Sequence, residues 1–285
     1  MAQAPYTDQT VTAIRFWTPW LFSLRCTRDP AFKFAPGQFA RIGVTRRADA
    51  AAGQAARAPE PAAATPTPPA ADPIVWRAYS MVSTPDEAEL EFYSVLVPEG
   101  EFSPALARLV PGDTLHVDCT AYGFLTADRF AGGRDLWLIA TGTGLAPFLS
   151  ILQTPGPWRD YARIVLVHSV RSGAELAYTE LIDALPGRFA ASGGAATAQL
   201  TYLPVITRGG AAPAGSGLLD ARVTTLLADG RLEAAAGRTI EPGASRVMLC
   251  GNPDMIIATR ALLKERGLSP ARRAAPGQYA VENYW

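Results

Sequence analysis

The chain has 285 residues, enough for two ordinary domains each with its own core. A hydrophobic fraction of 48% excludes a disordered chain, and a formal net charge of +0 leaves no global field to recruit nucleic acid. The widely spaced Cys26, Cys119 and Cys250 exclude a zinc knuckle, an iron–sulfur cluster and a secreted disulfide framework, and the expectation is a reduced cytoplasmic protein without a signal segment or membrane span.

The first half reads as short strands: Val11–Phe16, Phe22–Thr27, Gln38–Val44, Trp76–Ser83, Leu90–Val97 and Thr114–Cys119. Strands this close, with no helices between them, predict an antiparallel barrel. From Thr45 to Pro73 the sequence is mostly Ala and Pro with no period. Such a stretch cannot bury enough apolar surface to offset its chain entropy, so it reads as a mobile loop or as a docking element.

The rhythm then changes. Leu136–Ala140, Arg163–His168, Gln199–Ile206 and Arg246–Cys250 read as strands. Between and after them Ala146–Leu152, Ser172–Leu185, Ala221–Leu227 and a segment from Pro253 to about Arg266 read as helices. Asn252 is the predicted cap of the last helix and Gly267 its stop. Alternating strands and helices predict a parallel sheet, with the boundary near Arg129–Gly133. The predicted fold is therefore two-domain, β followed by α/β: residues 1–130 form an antiparallel barrel with 45–73 inserted, and residues 131–285 a parallel-sheet domain.

Arg77-Ala78-Tyr79-Ser80 offers a cation for a phosphate, an aromatic face for a flat ring and a hydroxyl for a ring nitrogen. On a strand, Arg77 and Tyr79 share one face and Ser80 points the other way. The neighbouring strand carries Tyr93, and the turn after it runs Glu101-Phe102-Ser103-Pro104. Ser103 with Pro104 reads as the start of a helix over Ala105–Leu109, whose free amides suit a phosphate. An aromatic strand followed by a phosphate seat suits a flavin dinucleotide.

Gly142-Thr143-Gly144 follows a buried strand and precedes a helix. It reads either as a tight structural turn or as the pyrophosphate seat of a second nucleotide. Arg171 and Arg208 follow the carboxyl ends of two strands, and Arg222 opens a helix. Arginine in place of an acidic residue there favours a 2′-phosphate, the alternative being solvated surface charge. Cys250 ends the last strand, either beside the reactive rings or as a small buried hydrophobe. His116 and His168 lie within strands and read as packed, and no metal-binding cluster is legible.

These motifs in this order resemble the ferredoxin–NADP⁺ reductase family, and in particular its bacterial subclass whose chains finish in Tyr-Trp, as this chain does with Glu282-Asn283-Tyr284-Trp285. The resemblance spans nearly the whole chain except the Ala/Pro insertion, which exceeds the short connection usual in that subclass. It implies an FAD-binding barrel and an NADP-binding α/β domain. Arg77 would hold the FAD phosphates, Tyr79 the isoalloxazine ring and Ser80 its N5 edge, with Ala78 among the cofactor-binding residues. Tyr93 and the turn Glu101-Phe102-Ser103 would complete that site, with Thr143 reaching it from the second domain. Val170-Arg171, Thr207-Arg208 and Arg222 fall at the 2′-phosphate positions, and Asn252-Pro253-Asp254 at the nicotinamide-side turn. Trp285 would cover the FAD adenine with Tyr284 beside it. Ser80, Cys250 and Tyr284 are the catalytic candidates, and Gly142 and Gly144 shape the turn.

The implied activity is hydride transfer from NADPH to FAD and single-electron delivery to ferredoxin or flavodoxin, reversible in direction, by a monomer. Two other readings stand beside it. A reductase component of an oxygenase would share both domains, often with a cysteine-rich iron–sulfur segment that is absent here. A non-catalytic flavin and NADPH sensor would bind both nucleotides and turn over slowly with any acceptor.

Overall fold

A computed structural model describes residues 5–45, 73–191, 198–209, 219–272 and 275–283. Most of the Thr45–Pro73 segment, and the terminal Tyr284 and Trp285, lie outside the described residues.

Six strands form the first sheet: β1 (Tyr6–Thr18), β2 (Leu21–Thr27), β3 (Phe39–Thr45), β4 (Ile74–Ser80), β5 (Glu89–Val95) and β6 (Thr114–Tyr122), with the short helix α1 (Phe102–Ala107) before β6. Their order is β4-β3-β6-β1-β2-β5, and every pairing within it is antiparallel. The two edge strands meet at their ends, where Met81 bridges Phe92 and the Val82 N–H donates to the Glu91 carbonyl. That contact closes the sheet into a barrel around Phe22, Leu24, Ile42, Leu90, Phe92 and Leu115, all 0–1% exposed.

The second sheet takes β7 (Asp135–Thr141), β8 (Arg163–Val170), β9 (Gln199–Ile206), β10 (Ser245–Gly251) and β11 (Tyr279–Asn283) in the order β11-β10-β7-β8-β9, all parallel. Helices α2 (Ala146–Leu152), α3 (Pro155–Asp160), α4 (Thr179–Ala190), α5 (Val223–Ala228), α6 (Arg231–Ala236) and α7 (Pro253–Glu265) connect and cover these strands. Strand β7 is buried on both faces, as parallel strands are. Leu136, Leu138 and Ala140 pack with α2 and with Leu21, Val82 and Tyr93 of the barrel, so this core runs through both halves. Trp137 and Ile139 face the opposite way, onto α5 and α7. The chain runs from β7 outward to β9, then returns to place β10 on the other side of β7. A doubly wound sheet opens a crevice at the carboxyl ends of its strands where the order reverses.

The structure differs from the sequence reading in five elements. The predicted helix Ser172–Leu185 is broken: a 3₁₀ turn at Gly173–Glu175 precedes α4, and Tyr178, at φ 61°, occupies the left-handed region between them. The Tyr178 ring packs against Trp17 and Tyr93 and its hydroxyl donates to Glu91 Oε1 at 2.7 Å, so tertiary contacts outweigh local helical preference. Helix α1 begins at Phe102 with no side-chain cap, and Ser103 Oγ instead accepts the Val97 N–H at 2.8 Å. Helices α3 and α6 carry too little period to be read, and β11 has only five residues. Asn252, by contrast, caps α7 as expected, its Oδ1 accepting from the N–H groups of Asp254 and Met255.

Candidate functional site

Two cavities lie side by side where the barrel meets the carboxyl ends of the parallel strands, and both are walled by Val95 and Thr143. The smaller holds about 440 Å³. Arg77, Ala78, Tyr79 and Ser80 of β4 form one side, Tyr93 and Ser94 of β5 the next, and Glu101, Phe102 and Ser103 the third. Its aromatic ring is fixed before any ligand arrives. The Tyr79 hydroxyl bonds Ser94 Oγ at 2.9 Å and its ring packs 5.6 Å from that of Phe102. Burial pushes the Tyr79 phenol up, offset in part by Ser94 and Arg77, so it stays neutral. Arg77 is exposed, with one bond from Nη1 to the Trp76 carbonyl. Tyr93 is 2% exposed, and its hydroxyl has no hydrogen-bond partner among the described residues.

The larger cavity holds about 650 Å³. Gly142 and Thr143 form its floor, followed by Asn252 and Asp254 at the start of α7. Three exposed arginines, Arg171, Arg208 and Arg222, converge on it from β8, β9 and α5. Their convergence follows from strand pairing. The Arg208 N–H donates to the Arg171 carbonyl at 2.8 Å, and the Thr207 N–H donates to the Val170 carbonyl at 2.9 Å. Strand ends locked in this register present neighbouring guanidinium groups on one wall.

The turn between the cavities is held from below. His168 is fully buried, its Nε2 lies 3.3 Å from the Gly142 carbonyl, and its Nδ1 lies 3.4 Å from the Tyr202 hydroxyl. Burial pulls its pKa to about 4, so the ring is neutral at physiological pH: Nε2–H donates to Gly142 while Nδ1 accepts from Tyr202. Thr141 Oγ1 accepts the Asn252 N–H at 2.7 Å, tying the end of β7 to the cap of α7.

Among the described candidates, Gly144, Cys250 and Pro253 line neither cavity. Cys250 is 0% exposed and packs in the core shared with Leu138 and Ala140. Its carbonyl faces the glycine turn, against Gly144.

Several wall residues escaped the sequence reading. Trp20, in the hairpin between β1 and β2, and Glu175 line the larger cavity, and Val95 lines both. The available signals were a tryptophan in a turn and an acid four positions after Arg171. Glu282, which lines neither cavity, also escaped that reading. Strand β11 pairs it with Cys250, and its Oε1 sits against Gly123 of the barrel with Oε2 buried and unpartnered among the described residues. Burial raises this carboxyl to about 8. Below about pH 4.5 the group is protonated folded and unfolded alike. As pH rises toward 8 only the unfolded chain releases the proton, so stability is lost across that window. Glu282→Gln should flatten the dependence and raise the melting temperature at pH 8, an effect on the order of a few kcal/mol. Parallel melting curves of the two proteins from pH 5 to 8 would refute it.

No helix is long and apolar enough to cross a membrane, and no group of three or more His, Cys, Asp or Glu could hold a metal, among the described residues. Residues 138–261 match the oxidoreductase NAD-binding domain family. The chain is 36% identical to ferredoxin–NADP reductase A of Sorangium cellulosum over 278 residues, 97% of this chain and 89% of that one. It is also 36% identical to the flavodoxin/ferredoxin–NADP reductase of Escherichia coli over 283 residues, 99% of this chain and 100% of that one. The crystal structure of a ferredoxin NADP⁺ reductase from Neisseria gonorrhoeae with bound FAD and NADP superposes with a TM-score of 0.81 at 31% identity, covering 99% of this chain and 100% of that one. A barrel and a doubly wound sheet that share a two-cavity crevice, together with relatives this similar along their whole length, establish that the chain belongs to the ferredoxin/flavodoxin–NADP reductase family.

Proposed function

We propose that the protein is an FAD-dependent reductase that oxidises NADPH and reduces ferredoxin or flavodoxin. The observation that carries this reading is the pair of adjoining cavities, one with a tyrosine face and an arginine, the other with three converging arginines, separated only by Val95 and the Thr143 turn. Residues 1–130 then form the FAD half and residues 131–285 the NADP half. The protein acts as a cytoplasmic monomer with a transient carrier as partner.

The donor set of the smaller cavity fits FAD. Arg77 supplies an exposed cation for a phosphate, Tyr79 a ring already fixed by Ser94 and Phe102, and Ser80 a hydroxyl at the inner end of the strand. Bound FAD supplies the conversion between a two-electron hydride and single electrons. The protein's own residues bind and orient. Arg171, Arg208 and Arg222 hold the 2′-phosphate of NADPH, and charge-assisted bonds of this kind select it over NADH. Gly142 and Thr143 bring the dinucleotide backbone to the wall shared with the smaller cavity, where proximity lowers the entropic part of the barrier. Neutral His168 keeps that turn in place without adding charge beneath it. The family resemblance assigns Tyr284 and Trp285 to the FAD side, and both lie outside the described residues.

The test is retention of the cofactor. The purified protein should be yellow, and Arg77→Ala and Tyr79→Ala should each loosen FAD about tenfold or more, since a phosphate cation or a stacked ring contributes about 1–3 kcal/mol. A protein that purifies colourless and takes up no added FAD defeats the reading.

A further inference from the structure

Glu175 is an unexpected group on the wall of a cavity that must accept an anion. It is 8% exposed and ends the 3₁₀ turn Gly173–Glu175, just after β8. Its Oε2 accepts the Arg171 backbone N–H at 3.0 Å, while Oε1 lies 3.1 Å from Arg171 Nε and 3.0 Å from Nη2. The same Oε1 accepts the Trp20 indole N–H at 3.4 Å from the barrel hairpin. Burial would push this carboxyl up, and the bonds from Arg171 and Trp20 outweigh burial and hold it below its ordinary value. It is therefore a carboxylate at neutral pH.

A carboxylate placed here by charge alone would repel a phosphate. Its geometry does something else. Arg171 has a long side chain, 51% exposed, that would otherwise sample many rotamers. Glu175 occupies the Nε edge of the guanidinium. Of the five N–H donors that an arginine carries, those on Nη1 and the second on Nη2 are not engaged by Glu175. The donor fork is thus held at the cavity wall before a nucleotide binds.

We infer that Glu175 is a positioning residue for cofactor choice: it presets Arg171 for the 2′-phosphate and anchors that arginine to Trp20 across the junction of the two halves. The inference rests on the reading of the larger cavity as the NADPH site, and it adds a carboxylate to the elements that set preference for the phosphorylated nucleotide.

The experiment is a double-mutant cycle on the FAD-loaded enzyme with a small one-electron dye as acceptor, measuring KM and kcat for NADPH and for NADH. Glu175→Gln should raise the NADPH KM about fivefold, as expected for loss of one coupled contact, with kcat and the NADH KM unchanged. Glu175→Asp, which keeps the charge, should fall between the two. In an Arg171→Ala background, Glu175→Gln should change nothing further, because the residue acts through the arginine. Trp20→Phe keeps the ring, removes the N–H and serves as a milder second probe, expected to raise only the NADPH KM. A lower NADPH KM in Glu175→Gln would show a repulsive carboxylate and overturn the inference. Equal losses for both nucleotides, or additive effects in the cycle, would also overturn it. If Arg171→Ala itself leaves the NADPH preference intact, the assignment of the cavity fails instead, which separates the two failures.

Discussion

Replacing Arg208 by alanine is expected to raise the KM for NADPH about ten- to a hundredfold and to leave NADH use within about twofold. Arg208 sits at the end of β9, exposed on the wall of the larger cavity, with its backbone zipped to Arg171. The 2′-phosphate is the only group that distinguishes the two nucleotides, so an arginine that meets it affects one and not the other. A charge-assisted hydrogen bond contributes about 1.5–3 kcal/mol, which sets the size of the loss. The preference should also shrink as salt is added, because exposed guanidinium groups are screened within about 8 Å at physiological ionic strength. The measurement is steady-state turnover with both nucleotides at two ionic strengths. Matching losses for NADPH and NADH would mean that Arg208 holds the strand end and not the phosphate.

Much of this architecture is readable from sequence, for identifiable physical reasons. Strand β9 and helix α2 were read to the residue, because an eight-residue strand and a Pro-started buried helix carry strong local signals. The carboxyl-end arginines were legible because a parallel sheet places its ligand there whatever the sequence. What escaped depended on contacts distant in the chain. Tyr178 breaks a helical pattern to reach Glu91, 87 residues away. Trp20 meets Glu175 across 155 residues, and no local pattern announces such a pairing. The end of β10 is a related case. At a strand end one residue decides which face a side chain takes, and here Gly251 reaches the cavity while Cys250 turns into the core.

The glycine turn gives the second large effect. Gly144→Ala is expected to lower NADPH oxidation about a hundredfold, the loss a misplacement of about 1 Å can cause. A Cβ at position 144 would collide with the Cys250 carbonyl and come 2.8 Å from Gly251 Cα. Both obstacles are backbone of β10, which is fixed between β7 and β11, so no flexible side chain can yield. The turn must move instead, carrying Thr143, whose wall both cavities share. Overpacking of this kind also lowers stability by about 1–3 kcal/mol. Gly142 is the control. It has φ 53° and no protein atom within 4 Å of an added Cβ, so alanine there strains the backbone by about 1–2 kcal/mol and puts a methyl on the cavity floor, but leaves the shared wall in place. The expected order of activity is wild type, then Gly142→Ala, then Gly144→Ala far below, with FAD content and visible spectrum recorded to show that each protein is folded. If Gly144→Ala folds, retains FAD and oxidises NADPH as fast as wild type, the turn is not the element that sets the distance between the two nucleotides.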